Sequence, residues 1–575
     1  MKTLKWLVLL SAASAAQAQP SHPLLEQMSP VSDAMLANPP AADWLNWRRT
    51  YDTYGFSPLD QINRDNVDQL RERFRLALES GSNTPTPLVH DGIMFLLATD
   101  DTLLAMDASS GETLWTFKHN THADALPSAK VGIALHGDKL IMPTNDLHVL
   151  AINARTGELI WDTGLEKVQI DRLGHQLHAT PLIANGMVVQ GVTATMVPEG
   201  GFMVGLDLET GKEQWRFYAI PRPGEPGDET WNGLELSARS GGSIWMPPSY
   251  DAELDLVYFG TAPTYDTASL YQRSELPGIN NDALYTNSTV ALRPRSGEVV
   301  WHYQHVANDQ WDLDWTYERQ IMQLPVNGVM RKVVVTAGKM ALFDALDAAT
   351  GQYLFSLDLG LQNLVTAIDP VTGIKTMGVN AAPVAESAQL VCPFAAGGRN
   401  WQASSYNQDS KVLFMPIAQM CMMGGPLGGR SILSTGAALD PVPLPGRDGE
   451  FGRLQAVNME TRELLWDLRE MAPPTTAIVA TAGEVIFSGT LDHRFKAIDA
   501  RNGSILWETN IGDIPTSYPV TYLANGKQYV ALTIGQPTIY AGTFMGAVTA
   551  LTGGADGPMG KLQPGGAALV VYALP

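Results

Sequence analysis

The sequence predicts an all-β fold, an eight-bladed β-propeller, on three observations. The chain of 575 residues contains 53 Gly and 14 Trp, a composition typical of many short strands joined by turns. A turn followed by an aromatic residue recurs seven times along the chain. Short apolar runs, for example at 140–142 and 257–259, precede many of these copies and indicate strands.

The repeated motif is an Asp or Asn, then Thr-Gly or a close variant, then an aromatic residue. In such a turn the side-chain oxygen accepts hydrogen bonds from backbone N–H groups, and the Gly takes a positive φ. The strand that follows carries a large ring that has to be buried. The aromatic residues of the seven copies are Trp115, Trp161, Trp215, Trp301, Phe355, Trp466 and Trp507.

The spacing of the copies predicts the number of blades. One four-stranded sheet cannot bury both of its faces, so the copies have to stack around a common axis. The interval from Phe355 to Trp466 is the longest and has room for an eighth blade without the motif. The strand at 568–572 is expected to close the ring, so we expect 19–575 to form a single domain. The long intervals after Trp215 and Phe355 are expected to hold the binding-site loops.

The first 18 residues predict a signal peptide. Lys2 and Lys5 form a basic start, an apolar run follows at 6–10, and the segment ends in a small-x-small sequence at 16–18. The apolar run is too short for the alternative, a membrane anchor, and no later stretch is long enough to span a bilayer. We therefore expect cleavage after Ala18 and a periplasmic mature protein.

The net charge excludes two classes of partner. Lys and Arg number 38 against 59 Asp and Glu, which gives a net charge of −21. Nucleic acid and an anionic membrane surface both require a basic face on the protein that binds them. A basic soluble protein remains open as a partner.

The chain has two cysteines, Cys392 and Cys421. In an oxidising compartment a disulfide between them is the default expectation, and two buried free thiols are the alternative. The chain contains no Cys-x-x-Cys-His sequence, which excludes covalently attached c-type haem.

The repeat resembles the tryptophan-docking motif of the pyrroloquinoline-quinone-dependent alcohol dehydrogenases, which include methanol dehydrogenase. Residues 43–70, 245–261 and 518–531 are similar to further signatures of that family, and Cys392 and Cys421 resemble its structural disulfide. The resemblance covers nearly the whole mature chain. It implies pyrroloquinoline quinone in the central channel, with Ca²⁺ or a lanthanide at its edge.

The resemblance also implies a catalytic base and metal ligands. Asp312 matches the aspartate that takes the alcohol proton and touches the metal. Asp314 matches an extra aspartate of lanthanide-using members, and two carboxylates at this spacing share one face of an extended segment. A more highly charged ion favours another hard oxygen ligand. For Asp314 alone, a solvated polar loop is the alternative.

Five residues match cofactor contacts of the family. Trp245 matches the flat floor on which the quinone stacks, with a role as one more inter-blade tryptophan as the alternative. Lys339 matches the cation that contacts the quinone oxygens, where it would stabilise the reduced anion. The other three matches are Ser243, a hydroxyl donor, and the pair Asn400 and Trp401.

The chain departs from the family around the cofactor. No adjacent cysteines stand at 124–127, where family members usually carry a vicinal disulfide over the quinone. Val131 stands where an arginine binds a cofactor carboxylate, and Lys130 beside it is a partial substitute.

Two of the usual metal ligands are also replaced. Met196 stands in place of a glutamate and Pro263 in place of an asparagine. Glu199 and Asp266 are nearby acids that could join the predicted metal ligands. We expect either that the ion is held differently from the family pattern or that it is held weakly.

Two hypotheses about function follow. The first is an exported dehydrogenase that oxidises an alcohol or another hydroxyl compound and passes electrons to a separate acceptor, such as a soluble cytochrome c. Its acidic surface would favour a basic acceptor. The second is a non-catalytic propeller of the same ancestry that acts as an envelope scaffold or a ligand-binding protein. The retained cofactor contacts favour the first, and the replaced metal ligands favour the second.

Overall fold

The computed structural model describes residues 22–165, 174–426, 439–536 and 538–575. Strands dominate these residues, and most strands belong to eight sheets of four or five strands, named A to H here. The predicted signal peptide lies outside the described residues.

Sheets A to D follow one another along the first half of the chain. Their strands are, for A, Leu88–His90, Ile93–Leu97, Thr102–Asp107 and Thr113–Lys118; for B, Ala134–His136, Lys139–Pro143, His148–Asn153 and Leu159–Gly164; for C, His175–Gln176, Leu182–Ala184, Met187–Ala194, Phe202–Asp207 and Glu213–Tyr218; and for D, Ser249–Asp251, Leu256–Gly260, Ser288–Leu292 and Val299–Gln304.

Sheets E to H complete the series. Their strands are, for E, Gln320–Val326, Val329–Ala337, Leu342–Asp347 and Tyr353–Asp358; for F, Ser405–Asn407, Val412–Ala418, Gly452–Asn458 and Glu463–Glu470; for G, Phe56–Ser57, Val479–Thr481, Val485–Thr490, Arg494–Asp499 and Ile505–Asn510; and for H, Arg71–Ala77, Val520–Ala524, Lys527–Ile534 and Ala568–Ala573.

The remaining elements lie in the loops within and between these sheets and in the segment that precedes sheet A. Two small sheets join Val365–Ile368 with Lys375–Met377, and Gln389–Val391 with Met420–Gly424 and Leu439–Pro443. The described α-helices are Pro23–Gln27, Asp33–Ala37, Ala268–Tyr271 and Ile539–Leu551, and the 3₁₀-helices are Val67–Gln69, Asp228–Thr230, Leu236–Ala238, Val379–Ala381 and Gly554–Asp556.

Contacts between neighbouring sheets explain the repeated motif. The Nε1 of Trp115 in sheet A donates a hydrogen bond to the Ala154 carbonyl of sheet B at 3.0 Å. Gly157 in the same turn has a φ of 73°, and a Cβ there would lie 3.0 Å from the Trp115 ring. Only a glycine therefore suits both the turn and the packed ring. The same ring-on-glycine packing joins Trp161 to Gly211, Trp215 to Gly297, Trp301 to Gly351 and Trp466 to Gly503.

The two ends of the chain meet in sheet H. The strand Ala568–Ala573 pairs antiparallel with Arg71–Ala77, and Phe74 of the latter packs on Gly111 in the turn of sheet A. Apolar side chains of sheets A to D form a continuous buried cluster. Stacked sheets of this kind form a β-propeller, which confirms the predicted all-β class.

The predicted disulfide between Cys392 and Cys421 is present. It ties the segment after Val391 to the strand Met420–Gly424, and the segment 394–396 then forms part of a cavity wall. None of the helices in the described parts of the chain combines the length and the apolarity needed to cross a membrane.

Candidate active site

A cavity of about 740 Å³ opens among the loops between the sheets. Three of the residues predicted from the sequence line it, namely Trp245, Asp312 and Trp401. They come from the loop before sheet D, the loop before sheet E and the loop before sheet F. The two long intervals of the sequence thus contribute Trp245 and Trp401, whereas Asp312 comes from the shorter interval after Trp301.

Asp312, Asp314 and Lys339 form one buried ionic cluster in the wall. The Nζ of Lys339 lies 3.0 Å from a carboxylate oxygen of Asp312 and 3.0 Å from one of Asp314. It also donates a hydrogen bond to the Asp312 carbonyl at 2.7 Å. Lys339 and Asp314 are fully buried, whereas Asp312 reaches the cavity. One ammonium therefore pairs with two carboxylates, a contact that the sequence analysis did not predict.

The loop that carries Asp312 is held in an uncommon conformation. Asp312 has a φ of 61°, which a non-glycine residue seldom adopts. The buried carboxylate of Asp309 accepts hydrogen bonds from the backbone N–H groups of Trp311, at 2.8 Å, and of Leu313. Asp309 therefore positions Asp312, a role that sequence analysis did not assign to it.

Burial raises the pKa of Asp312 well above its usual range. The nearby ammonium of Lys339 lowers this pKa, and the negative charge of Asp314 raises it. The net shift is upward because removal from water penalises the charged carboxylate. A carboxylate with a raised pKa is a stronger base than one in water, which suits it to accept a proton.

Trp245 connects the ionic cluster to the cavity that it lines. Its Nε1 donates a hydrogen bond to Oδ2 of Asp314 at 2.9 Å, and its ring packs edge-on against Tyr317 with centroids 5.6 Å apart. Ser243 precedes it but does not line the cavity; its hydroxyl donates to the Ala194 carbonyl at 2.8 Å and accepts from the Ala194 N–H at 3.0 Å. Ser243 thus fixes the loop that carries Trp245.

Asn400 and Trp401 resemble Ser243 and Trp245, since one residue of each pair fixes the loop and the other lines the cavity. The side chain of Asn400 donates to the Ala396 carbonyl at 2.8 Å and accepts from the Trp401 N–H at 2.7 Å. Trp401 lines the cavity and packs against Tyr518, with ring centroids 5.4 Å apart. The structure therefore brings Trp401 to the cavity and places Asn400 behind it.

The nearby acids and the nearby lysine do not reach the cavity. Glu199 lies 3.4 Å from Arg222 in an exposed ion pair, and Asp266 is exposed and outside the lining. The buried Nζ of Lys130 lies 2.9 Å from Oδ1 of Asp101. None of the three substitutes for a missing family residue in this arrangement.

Several cavity residues were missed by sequence analysis, among them Gln176, His178, Tyr265 and Tyr518. Burial, with the charge of Lys130 nearby, lowers the pKa of His178 to about 4. A lone histidine or glutamine gives no spacing signal, and only the meeting of loops from different sheets reveals these residues.

Comparison with known proteins identifies the family. A family model matches residues 44–358 and 426–530 of this chain. It describes the β-propeller domain of glucose, ethanol and alcohol dehydrogenases that use pyrroloquinoline quinone (PQQ). The chain belongs to this family. The dehydrogenase subunit of the quinone-dependent alcohol dehydrogenase of Gluconobacter oxydans is 31% identical to it over 542 residues, which cover 87% of this chain and 71% of the relative.

Solved structures of PQQ-dependent dehydrogenases share the fold. A quinohemoprotein alcohol dehydrogenase from Pseudomonas putida superposes with a TM-score of 0.81 at 27% identity, over 95% of this chain and 82% of that one. A europium-containing methanol dehydrogenase superposes with a TM-score of 0.83 at 24% identity, over 94% and 99% of the two chains. The resemblance predicted from the sequence is thereby confirmed.

Proposed function

We propose that this protein is an exported PQQ-dependent dehydrogenase that oxidises an alcohol or a related hydroxyl compound. Membership of the family supports the cofactor and the reaction. The observation that carries the proposal for this chain is the carboxylate of Asp312, paired with Lys339, in the wall of a cavity that Trp245 also lines.

The residues present suit the ring system of the cofactor. Trp245 and Trp401 offer flat aromatic surfaces in the cavity, and aromatic faces stack favourably on a planar ring. The cavity of about 740 Å³ is within the range of small-molecule and cofactor sites. When bound, the quinone supplies the redox chemistry, because it accepts the hydride equivalent that leaves the alcohol carbon.

Asp312 acts as the base in this proposal. Its Oδ1 is buried and accepts no hydrogen bond from the described residues, so it is free to accept the proton of a substrate hydroxyl. Lys339 holds the other oxygen at 3.0 Å and orients the carboxylate. Asp314 holds Lys339 from the opposite side and keeps the Trp245 ring in place through the Nε1 hydrogen bond.

We further propose that Asp312 and Asp314 hold a Ca²⁺ or lanthanide ion. The closeness of the two carboxylates, both of which lie 3.0 Å from Lys339 Nζ, supports this, because hard cations bind carboxylate oxygens. Lys339 shares the same two carboxylates, and the side chains of Met196 and Pro263 offer no oxygen ligand. We therefore expect weak binding. A cation there would polarise an adjacent carbonyl oxygen of the cofactor.

We extend the proposal to the domain organisation, the compartment and the electron acceptor of the protein. Residues 19–575 form one domain with eight blades, supported by the eight sheets of four or five strands among the described residues. The basic start and small-x-small end of 1–18 support export to the periplasm. We propose that electrons pass to a separate acceptor such as a cytochrome c, and the net charge of −21 favours a basic one.

The second candidate is a non-catalytic propeller that acts as a scaffold or a ligand-binding protein. The observation that favours it is that Val131, Met196 and Pro263 stand at three positions where the family resemblance implies cofactor or metal contacts.

Calorimetric titration of the mature protein with pyrroloquinoline quinone separates the two candidates. We expect tight binding, strengthened by Ca²⁺ or La³⁺ relative to the metal-free titration. The loaded protein should then reduce an artificial electron acceptor when an alcohol is added. Absence of cofactor binding in all three titrations would contradict the dehydrogenase and leave the non-catalytic propeller.

A further inference from the structure

The cavity wall beside Asp312 is apolar. Trp311 and Leu313, the chain neighbours of Asp312, belong to the same buried apolar cluster as Phe394 and the two alanines that follow it. Residues 394–396 also line the cavity. A substrate whose hydroxyl reaches the Asp312 carboxylate therefore has this wall next to its carbon atoms.

The apolar wall extends to two further segments. Leu439, which begins the strand Leu439–Pro443, is half-buried against the same cluster and lines the cavity. Leu126 and Pro127 line it from the loop between sheets A and B. None of these side chains has an atom that can donate or accept a hydrogen bond.

Backbone groups at 394–396 are largely engaged within the protein. The Phe394 N–H donates to the Met420 carbonyl at 2.8 Å, and the Phe394 carbonyl accepts from the Gly397 N–H at 2.6 Å. The Ala396 carbonyl accepts from the Asn400 side chain at 2.8 Å. A second hydroxyl of a substrate would lose its hydration at this wall without gaining a partner from these groups, which is unfavourable.

Hydroxyls elsewhere in the cavity are also committed to the protein. The Thr84 hydroxyl donates to the Lys130 carbonyl at 2.6 Å, and the Ser128 hydroxyl donates to the Asn145 side chain at 3.2 Å. Both residues line the cavity, but neither hydroxyl keeps its hydrogen for a substrate.

Resting on the proposed function, we infer that the substrate is an alcohol with a hydrocarbon chain, and not a polyol or a sugar. The wall of Phe394, Ala395, Ala396 and Leu439 is the surface that selects it. Each methylene that moves from water onto such a wall contributes favourable transfer free energy, so selectivity should grow with chain length.

The test measures kcat/KM for reduction of an artificial electron acceptor by the protein loaded with pyrroloquinoline quinone. The substrates are ethanol, butanol and hexanol, each with a terminal hydroxyl, and a hexanetriol of the same carbon count as hexanol. Tertiary alcohols of increasing chain length supply a second readout. They lack a hydrogen on the hydroxyl-bearing carbon and cannot be oxidised, so their inhibition constants report binding alone.

We expect kcat/KM to rise about two- to fourfold for each added methylene from ethanol to hexanol. Hexanol should exceed the hexanetriol by about 10²-fold, the discrimination that an apolar pocket achieves against added hydroxyls. The inhibition constants of the tertiary alcohols should fall in step with chain length.

Leu439→Gln places an amide on the wall at a half-buried position. It should lower the hexanol-to-ethanol ratio of kcat/KM by about fivefold, since apolar contact with the longer chain is lost. The control is Leu276→Gln, which changes an exposed leucine outside the cavity lining and should keep the wild-type ratio.

The outcomes separate the two proposals. A wild type that oxidises the hexanetriol as well as hexanol, or a Leu439→Gln protein with the wild-type ratio, would overturn this inference alone. A loaded wild type that oxidises none of these substrates would overturn the proposed function itself.

Discussion

Two clusters of titratable side chains differ in how their polar atoms are hydrogen-bonded. One is the cavity cluster of Asp312, Asp314 and Lys339. The other, at the N-terminal segment, consists of Asp43, His90 and Asp91, whose ligand atoms lie within 4.8 Å of one another. The cavity cluster is buried, as are Asp43 and His90, whereas Asp91 is exposed, and the hydrogen bonds of the two clusters differ.

In the N-terminal cluster the ring of His90 is fully engaged. Its Nδ1 lies 2.8 Å from the Asp43 carboxylate and its Nε2 lies 2.8 Å from the Ser29 carbonyl. The Asp91 carboxylate accepts from the Ser29 N–H at 2.7 Å. A metal ion would find no free nitrogen on the His90 ring. The hydrogen bonds of this cluster instead clamp residues 29–43 to sheet A.

In the cavity cluster one oxygen is left without a partner. The Oδ1 of Asp312 is buried and accepts no hydrogen bond from the described residues, and this same residue reaches the cavity. An unpaired buried polar atom is costly for stability. Closeness of acidic groups is thus common to both clusters, and they differ in that the cavity cluster has a carboxylate oxygen that accepts no hydrogen bond from the described residues.

The largest expected effect on stability comes from breaking the cavity cluster. Lys339→Met leaves the carboxylates of Asp312 and Asp314 without their ammonium, so we expect a loss of about 3–5 kcal/mol in the free energy of unfolding. Denaturant titration measures it. Lys332→Met, which removes a partly exposed lysine paired with Asp251, is the control and should cost far less. Equal losses in the two variants would contradict the ionic role of Lys339.

The disulfide beside the cavity wall is expected to have the next largest effect. Cys392 and Cys421 close a loop with a sequence separation of 29 residues. Reduction should lower the free energy of unfolding by about 2–4 kcal/mol, because the unfolded chain regains conformational freedom. Thermal melting with and without reductant measures this, and the doubly substituted Cys392→Ser, Cys421→Ser protein should no longer respond to reductant. An unchanged melting curve on reduction would rule out a stabilising role.

The N-terminal clamp is expected to show a smaller effect that depends on pH. Burial disfavours the charged ring, but the hydrogen bond and charge of Asp43 outweigh this and raise the pKa of His90 above 6.5. Its stabilisation is therefore complete below the unfolded pKa and is lost as pH rises through the folded pKa. The wild type should exceed His90→Gln by about 1–2 kcal/mol at low pH, with a smaller difference at high pH. Unfolding curves across this range measure it; a difference that grows with pH would contradict the assignment.

The sequence allowed much of the fold to be predicted because its signal is local. The turn glycines, such as Gly157, and the rings that pack on them, such as Trp115, repeat at readable positions. Three cavity residues could be predicted for a related reason, because each belongs to a recognisable sequence segment. They are Trp245, Asp312 and Trp401.

The remaining site residues depend on contacts between distant segments. His178 and Gln176 meet the cavity through the packing of sheet C against the loop at Val131, which no spacing encodes. Ser243 and Asn400 were predicted as cofactor contacts, but their hydrogen bonds go to the backbone of Ala194, Ala396 and Trp401. A sequence motif identifies the segment and not the direction of each side chain.

The most direct test compares turnover of Asp312→Asn with that of the wild type and of Asp91→Asn, after loading with pyrroloquinoline quinone. The readout is alcohol-dependent reduction of an artificial electron acceptor, with cofactor binding and thermal melting as checks on the fold. We expect Asp312→Asn to lose about 10²–10⁴-fold in turnover while it keeps its fold, because the base is gone. Asp91→Asn should retain wild-type turnover. Turnover of Asp312→Asn comparable with that of the wild type would show that the unpartnered carboxylate is not the base.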